Sequence, residues 1–309
     1  MKVKDKIDGM NRQVSKWAGL LTEQRNSNST HIDRCSTVDA LRLINAEDQR
    51  VARAVEAVID DIARAVDLVV SAFQKGGRLF YVGAGTSGRL GVLDASECPP
   101  TYGVSPDLVQ GVIAGGIPAL TRSQEGAEDH PEDGKVALKD RGCTSDDVVM
   151  GIAASGVTPF VLGALEYARC IGAKTLFFTC NPDVVQKARA DVAIVPVVGP
   201  EVITGSTRMK AGTATKLVLN MVTTTAMIRL GKVYENLMVD LAPTCDKLID
   251  RAERILEIVS DLTPEESRRA LDNAQGDLKT AIVMTKRAVS IETARELLRQ
   301  NDGVINKVL

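Results

Sequence analysis

The sequence predicts an α/β fold: a parallel, five-stranded, doubly wound sheet, with a helical segment before it and a small helical module after it. Three observations carry that expectation. Short apolar runs alternate with helical stretches from residue 78 to about 198, and strands that are apolar on both faces belong to parallel sheets covered by helices on both sides. Loops of small and hydroxyl residues recur at the ends of such runs, where ligands gather in open parallel sheets. The chain has 309 residues, 44% of them hydrophobic, enough for one large α/β domain with helical additions.

Residues 1–45 are polar and mixed in charge, and the string from Glu23 to Thr30 reads as an ordered or partner-bound arm rather than a helix. Residues 46–75 read as helical: Val51, Val55, Val58, Ile59, Ile62, Ala65 and Val66 recur at helical spacing, and Gly76-Gly77 ends the run. The expected strands are 78–83, 108–114, 147–153, 174–179 and 192–197, with a helix over 160–171 among the connections. Residues 208–230 form a long, mostly apolar helix, suited to a central or interface position, and 233–262 are expected to be helical and polar. Thr263-Pro264-Glu265-Glu266 is a capping-box start with Pro at the first helical position. It opens a module over 263–309 with breaks at Gly276 and Gly303; Leu271, Ala274, Leu278, Ala281, Ile282 and Met284 give it a helical apolar face, like that of a small three-helix, ubiquitin-associated-like (UBA-like) fold.

Composition excludes several function classes. The net charge of −2 provides no basic field for nucleic acid, and 3% aromatics leave few platforms for stacked bases. No run reaches the ~18 apolar residues of a membrane span, and the stretch from Met1 to Trp17 lacks an apolar signal core. Cys35, Cys98, Cys143, Cys170, Cys180 and Cys245 form no metal-binding spacing and read as reduced thiols of a cytoplasmic protein. His31 and His130 are the two histidines, so a His-rich metal site is not expected.

The chemistry concentrates in Val82-Gly83-Ala84-Gly85-Thr86-Ser87-Gly88-Arg89, which follows an apolar strand and precedes a helix. Backbone N–H groups, hydroxyls and a helix N-terminus in that order build an anion site. The glycine spacing also fits a dinucleotide-binding turn, but the next strand ends in Gly115-Gly116, without the ribose-binding acid expected about 20 residues on. Thr86 and Ser87 suit a phosphate monoester better. Two further hydroxyl loops fall at strand ends, with Ser155 and Thr158 in one and Ser206 and Thr207 in the other. The alternative role for all of these hydroxyls is helix N-capping. Arg89, Arg208 and Lys210 are candidates to pair with a substrate anion, or else sit in structural ion pairs. Glu97, about three turns into the helix, brings a carboxylate to the phosphate grip, which suggests proton chemistry on a phosphorylated small molecule. Cys98 beside it, with no activating His nearby in sequence, reads as a packed thiol.

Several of these strings are long: Thr22-Glu23-Gln24-Arg25-Asn26, the loop 83–89, Asp94-Ala95-Ser96-Glu97-Cys98-Pro99-Pro100, Glu125-Gly126-Ala127-Glu128-Asp129, and 199–213 with Gly205-Ser206-Thr207-Arg208 at its centre. Together they resemble the N-acetylmuramic acid 6-phosphate etherase family from about residue 20 to the last residue. The resemblance implies a sugar isomerase (SIS) domain over about 67–232, between an N-terminal segment (1–66) and a C-terminal helical region (233–309). It implies a cytoplasmic homodimer of cell-wall sugar recycling that cleaves the D-lactyl ether of N-acetylmuramate 6-phosphate to N-acetylglucosamine 6-phosphate and D-lactate. It implies Glu97 and Glu128 as the catalytic pair, Glu97 the acid and Glu128 the base, with Glu201 a rival base beside the third hydroxyl loop. The implied lyase chemistry needs no metal and no redox cofactor. His31, next to the polar arm, is a candidate to reach a site across a dimer. Two other readings stay open on the residues: an aldose–ketose isomerase of hexosamine 6-phosphates, which shares the phosphate loops and C2 base, and a non-catalytic sugar-phosphate sensor like glucokinase regulatory protein.

Overall fold

The structure, a computed structural model, describes residues 17–241 and 246–309. The expectations for the first sixteen residues and for Cys245 lie outside the described residues.

Five parallel strands, β1 (Leu79–Gly83), β2 (Val109–Ile113), β3 (Val148–Ile152), β4 (Lys174–Phe178) and β5 (Val192–Ile194), stand in the order β2-β1-β3-β4-β5. Leu79 pairs with Val109 on one side and Val148 on the other. The strands are apolar throughout because both faces are covered. Leu79 and Tyr81 of β1 enter one core with Val148, Met150 and Leu176, while Phe80 and Val82 enter the opposite core with Val149 and Phe177. The first core is closed by α1 (Thr37–Glu56), α2 (Ile59–Gln74), α3 (Gly85–Tyr102) and α7 (Lys210–Arg229); the second is closed mainly by α4 (Pro131–Asp140), α5 (Pro159–Cys170) and α6 (Val185–Ala188). The long apolar helix expected over 208–230 is α7, packed centrally against α1, α2 and α3.

Two expectations need correcting. The helical stretch expected from 46 is two helices and begins at Thr37, because Ser36 caps it by accepting the Asp39 N–H at 3.2 Å. The chain breaks at Ala57–Val58 before α2. The stretch 233–262 is not continuously helical. It begins with an antiparallel hairpin, β6 (Val233–Tyr234) and β7 (Leu237–Met238), whose turn places Glu235 at φ +51°, as tight hairpin turns require. Helix α8 (Asp246–Ser260) follows.

Beyond it lie α9 (Pro264–Asn273), α10 (Leu278–Arg287), α11 (Ile291–Gln300) and the single turn α12 (Ile305–Val308). The Thr263/Glu266 capping box is formed in both directions. A third hydrophobic core, running from Val239 to Val308, holds these helices and the hairpin together. The buried Lys279 of α10 forms an ion pair with Asp240, which also meets Lys232 at 3.4 Å just after α7.

Candidate active site

The link through α3 runs from β1 to β2, and the next connection passes back across β1 to β3. The sheet therefore has its switch point between β1 and β3, and the crevice beyond their carboxyl ends is where an open α/β sheet takes a ligand. A cavity of about 680 Å³ opens there.

Each hydroxyl loop reaches it from a different element. Ala84, Gly85, Thr86 and Ser87 come from the end of β1 and the first turn of α3; Ala153, Ala154, Ser155, Val157 and Thr158 lead from β3 into α5; Gly205 and Thr207 precede α7. The first turn of α3 lies close to the strand it follows. A methyl on Gly88 would sit 2.8 Å from the Gly83 carbonyl oxygen and 2.6 Å from the Ile113 side chain, so only glycine fits. The N-terminal ends of α3 and α5 meet at this cavity, and neither N-cap residue, Ala84 or Thr158, makes a side-chain capping bond. Among the described residues, no protein group hydrogen-bonds the hydroxyls of Thr86, Ser87, Ser155 or Thr158. The capping alternative thus does not occupy them. They stand at the N-terminal ends of two helices, where the helix dipoles favour an anion; at α5 the Phe160 N–H is already bonded to the Glu128 carbonyl.

The same wall carries three carboxylates, Glu23, Glu128 and Asp129, and among the described residues no Lys or Arg. Glu128 precedes α4, and its carbonyl accepts the Phe160 N–H at 3.0 Å, which ties its loop to α5. Glu128 is exposed at the cavity wall; desolvation, and then the charges of Asp129 and Glu125, push its carboxyl above its ordinary value. It also lines a smaller adjoining cavity of about 190 Å³, together with Arg89, Ala119, Ser123 and Glu125. Arg89 is half-buried, its Nε donating to the Leu120 carbonyl at 3.2 Å.

Other sequence candidates fall elsewhere. Glu97 is exposed on α3 and does not line the cavity; eleven residues separate it from Thr86, about 16 Å along a helix axis. Glu201 is buried, and its two oxygens accept the N–H groups of Lys210 and Ala211 at 3.0 and 2.9 Å. It caps α7 and has no oxygen turned to the cavity. Desolvation raises its carboxyl, against those two bonds. Lys210 is also buried, in an ion pair with Glu47, so it is a structural cation and not a substrate contact. Ser206 is half-buried beside Thr207 without lining the cavity, while Arg208 and His31 are exposed outside it. Cys98 is buried and its thiol donates to the Asp94 carbonyl at 3.4 Å; desolvation and Asp94 push it up to about 12, so it is no nucleophile.

Glu23, Asp129 and Trp17 line the cavity without having been singled out from sequence. Their signal is weak because it depends on how the chain folds back. The arm before α1 crosses the strand ends, where Asn181 donates to Thr22 Oγ1 at 3.1 Å and to the Ser155 carbonyl at 3.0 Å. Asn26 donates to Glu47 and to the Pro200 carbonyl, both at 3.0 Å, and Ser29 donates to the Val202 carbonyl at 2.8 Å. These bonds hold Glu23 against the third hydroxyl loop.

Comparison with known proteins gives three findings. The profile of the glucokinase regulatory protein N-terminal SIS domain matches residues 61–169. An N-acetylmuramic acid 6-phosphate etherase of Rhizobium rhizogenes is 55% identical over 96% of this chain and 97% of its own, and one of Salinibacter ruber is 56% identical over 94% of each. Among solved structures, a phosphoheptose isomerase from Neisseria gonorrhoeae superposes with a TM-score of 0.46 at 16% identity, covering 62% of this chain and 98% of its own.

Proposed function

The chain belongs to the N-acetylmuramic acid 6-phosphate etherase family, and from that premise we propose that it is a carbon–oxygen lyase that releases D-lactate from N-acetylmuramate 6-phosphate. The observation that carries this reading is the juxtaposition, around one cavity, of two helix N-termini without side-chain caps and four unengaged hydroxyls with the carboxyl of Glu128. The first group fits the 6-phosphate, and the second fits proton abstraction from the sugar.

An alkyl ether resists direct displacement because an alkoxide leaves poorly. In the ring-opened sugar, however, C1 is an aldehyde and acidifies the C2 proton, while the lactyl oxygen sits on C3, β to that carbonyl. Glu128 takes the C2 proton; the electron pair forms the C2–C3 double bond and expels the C3–O bond. The departing oxygen takes a proton from an acid, and D-lactate leaves. Water then adds at C3 and C2 is reprotonated, giving N-acetylglucosamine 6-phosphate. No step calls for a Lewis acid or a hydride carrier, because the substrate's own carbonyl holds the developing charge. The described residues contain no cluster of three potential metal ligands.

In this reading Glu97 is the acid. Its exposed position, away from its own chain's cavity, supports a homodimer in which a second copy supplies Glu97, and His31 and Arg208 are exposed for the same contact. The product is an ordinary amino-sugar phosphate, which fits a role in cell-wall sugar recycling. A cytoplasmic setting agrees with five unbridged thiols among the described residues. No helix of the described residues is long and apolar enough to cross a membrane.

The test is product and label analysis with N-acetylmuramate 6-phosphate in H₂¹⁸O and D₂O. The reading expects D-lactate that retains the ether oxygen, ¹⁸O at C3 of the sugar and deuterium at C2. Label in the lactate hydroxyl would overturn the elimination path; a C1–C2 isomerised sugar with no lactate would overturn the etherase reading.

A further inference from the structure

The proposed substrate carries two anions, a phosphate at one end and the lactyl carboxylate near its middle. The main cavity answers one of them with neutral donors and helix ends, and among the described residues it offers no cation. The smaller cavity beside it is lined by Arg89, the one cation among the described residues lining either space. The two spaces share Ala84, Gly85 and Glu128, so a ligand that fills both passes Glu128.

We infer that the smaller cavity is the lactyl-carboxylate subsite, with Arg89 its anchor. This rests on the etherase reading and extends it to the part of the substrate that leaves. Arg89 is built for the task. Its Nε donates to the Leu120 carbonyl at 3.2 Å, which fixes the plane of the guanidinium. Among the described residues Arg89 makes no other hydrogen bond and no ion pair, so both terminal NH₂ groups remain for a ligand. A planar guanidinium held by one edge is matched to a carboxylate by two parallel hydrogen bonds. Glu125, on the same wall, accepts a bond from Ser123 at 2.9 Å and is exposed to solvent, where water screens its repulsion of an incoming anion. About 190 Å³ holds a three-carbon acid with room for its methyl group.

The placement has a mechanistic consequence. With the phosphate at Thr86, Ser87, Ser155 and Thr158 and the lactyl group at Arg89, the C2–C3 bond lies between the cavities, where Glu128 stands. The second anion then selects which hydrogen faces the base. A sugar phosphate without the lactyl group keeps the first anchor and loses the second.

The experiment compares ligands that differ only in that group. In Arg89→Gln, KM for N-acetylmuramate 6-phosphate should rise about 10- to 100-fold, the loss expected when a charge-assisted pair is removed. The inhibition constant of N-acetylglucosamine 6-phosphate should stay within about 2-fold, which also reports an intact main cavity. Arg89→Lys should fall between, because it keeps charge without the two-pronged geometry. Should Arg89→Gln fail to fold, Ser123→Phe, an exposed position on the same wall, fills the small cavity and should weaken the lactyl sugar while sparing the other. Equal weakening of both ligands, or an unchanged KM, overturns the subsite. Were the wild-type protein to release no lactate, the etherase reading would fail; equilibrium binding of the two ligands to wild type and Arg89→Gln would still decide the subsite.

Discussion

Two clusters of polar side chains, one around Glu47 of α1 and one around Thr86 and Thr158 at the strand ends, differ in how fully their hydrogen bonds are satisfied. Around Glu47, saturation is complete: Asn26, Asn28, Arg50 and Lys210 all turn onto one buried carboxylate. These bonds overcome its desolvation and hold it down at about 2. Around Thr86 and Thr158 the hydroxyls have no protein partner among the described residues, and neither helix end carries a side-chain cap. Both clusters draw residues from strings that the sequence marks as motifs, Asn26 and Lys210 in one and Thr86 in the other. One is a latch that closes the fold, and the other is an open set of donors suited to an anion. Motif density locates both without telling them apart; the balance of donors and acceptors does.

That contrast can be broken or sharpened by substitution. The largest effect belongs to the open side. Glu128→Gln should lower lactate release by more than about 10³-fold and abolish exchange of the product's C2 hydrogen with D₂O, as expected for a general base. Because the Glu128 carboxyl is raised and must be ionised to act, wild-type turnover should fall on the acid side with an apparent pKa above the ordinary glutamate value. Persistent C2 exchange in the variant would move the base elsewhere.

The next effect belongs to the latch. Glu47→Gln leaves Lys210 buried without a counter-charge, and breaking a buried pair from one side costs about 3–5 kcal/mol. The melting temperature should drop accordingly while KM changes little. The pH dependence follows from the depressed carboxyl. Stability from Glu47 is full above its ordinary value of 4.5 and is lost as pH falls toward about 2. The gap between wild type and variant in denaturant titrations should therefore narrow across that window. A gap independent of pH would mean that the pair does not stabilise the fold.

The smallest effect returns to the open side. Thr86→Ala removes one neutral donor from the proposed phosphate site and should weaken sugar-phosphate binding by about 1 kcal/mol, near 5-fold, with no loss of melting temperature. A fall in melting temperature without a change in affinity would return Thr86 to a structural role and erase the contrast.

The same contrast explains what could be read in advance. Sheet strands were legible because burial on both faces leaves them few choices of residue: Phe80 and Val82 serve one core, Leu79 and Tyr81 the other. The Thr263 capping box was legible because its chemistry is local. Glu201 was not: a carboxylate beside a hydroxyl loop can cap a helix or serve a substrate, and only the approach of the Lys210 and Ala211 N–H groups decides for the cap. Glu23 escaped for the same reason, since its position depends on partners such as Asn181 far along the chain. The start of α1 was hidden by the polar first turns of an amphipathic helix whose apolar stripe faces α7.

The arm's long-range stitching also has a consequence in time. Thr22, Asn26 and Ser29 meet partners 159 to 174 residues later. At about 5–20 residues per second of synthesis, those partners follow the arm by roughly 10–30 s. In the later part of that interval the ribosome carries a growing sheet whose cavity still lacks the wall bearing Glu23. A chaperone or protease would meet that wall as loose chain, and the site becomes whole only after the segment between β5 and α7 has emerged and captured the arm.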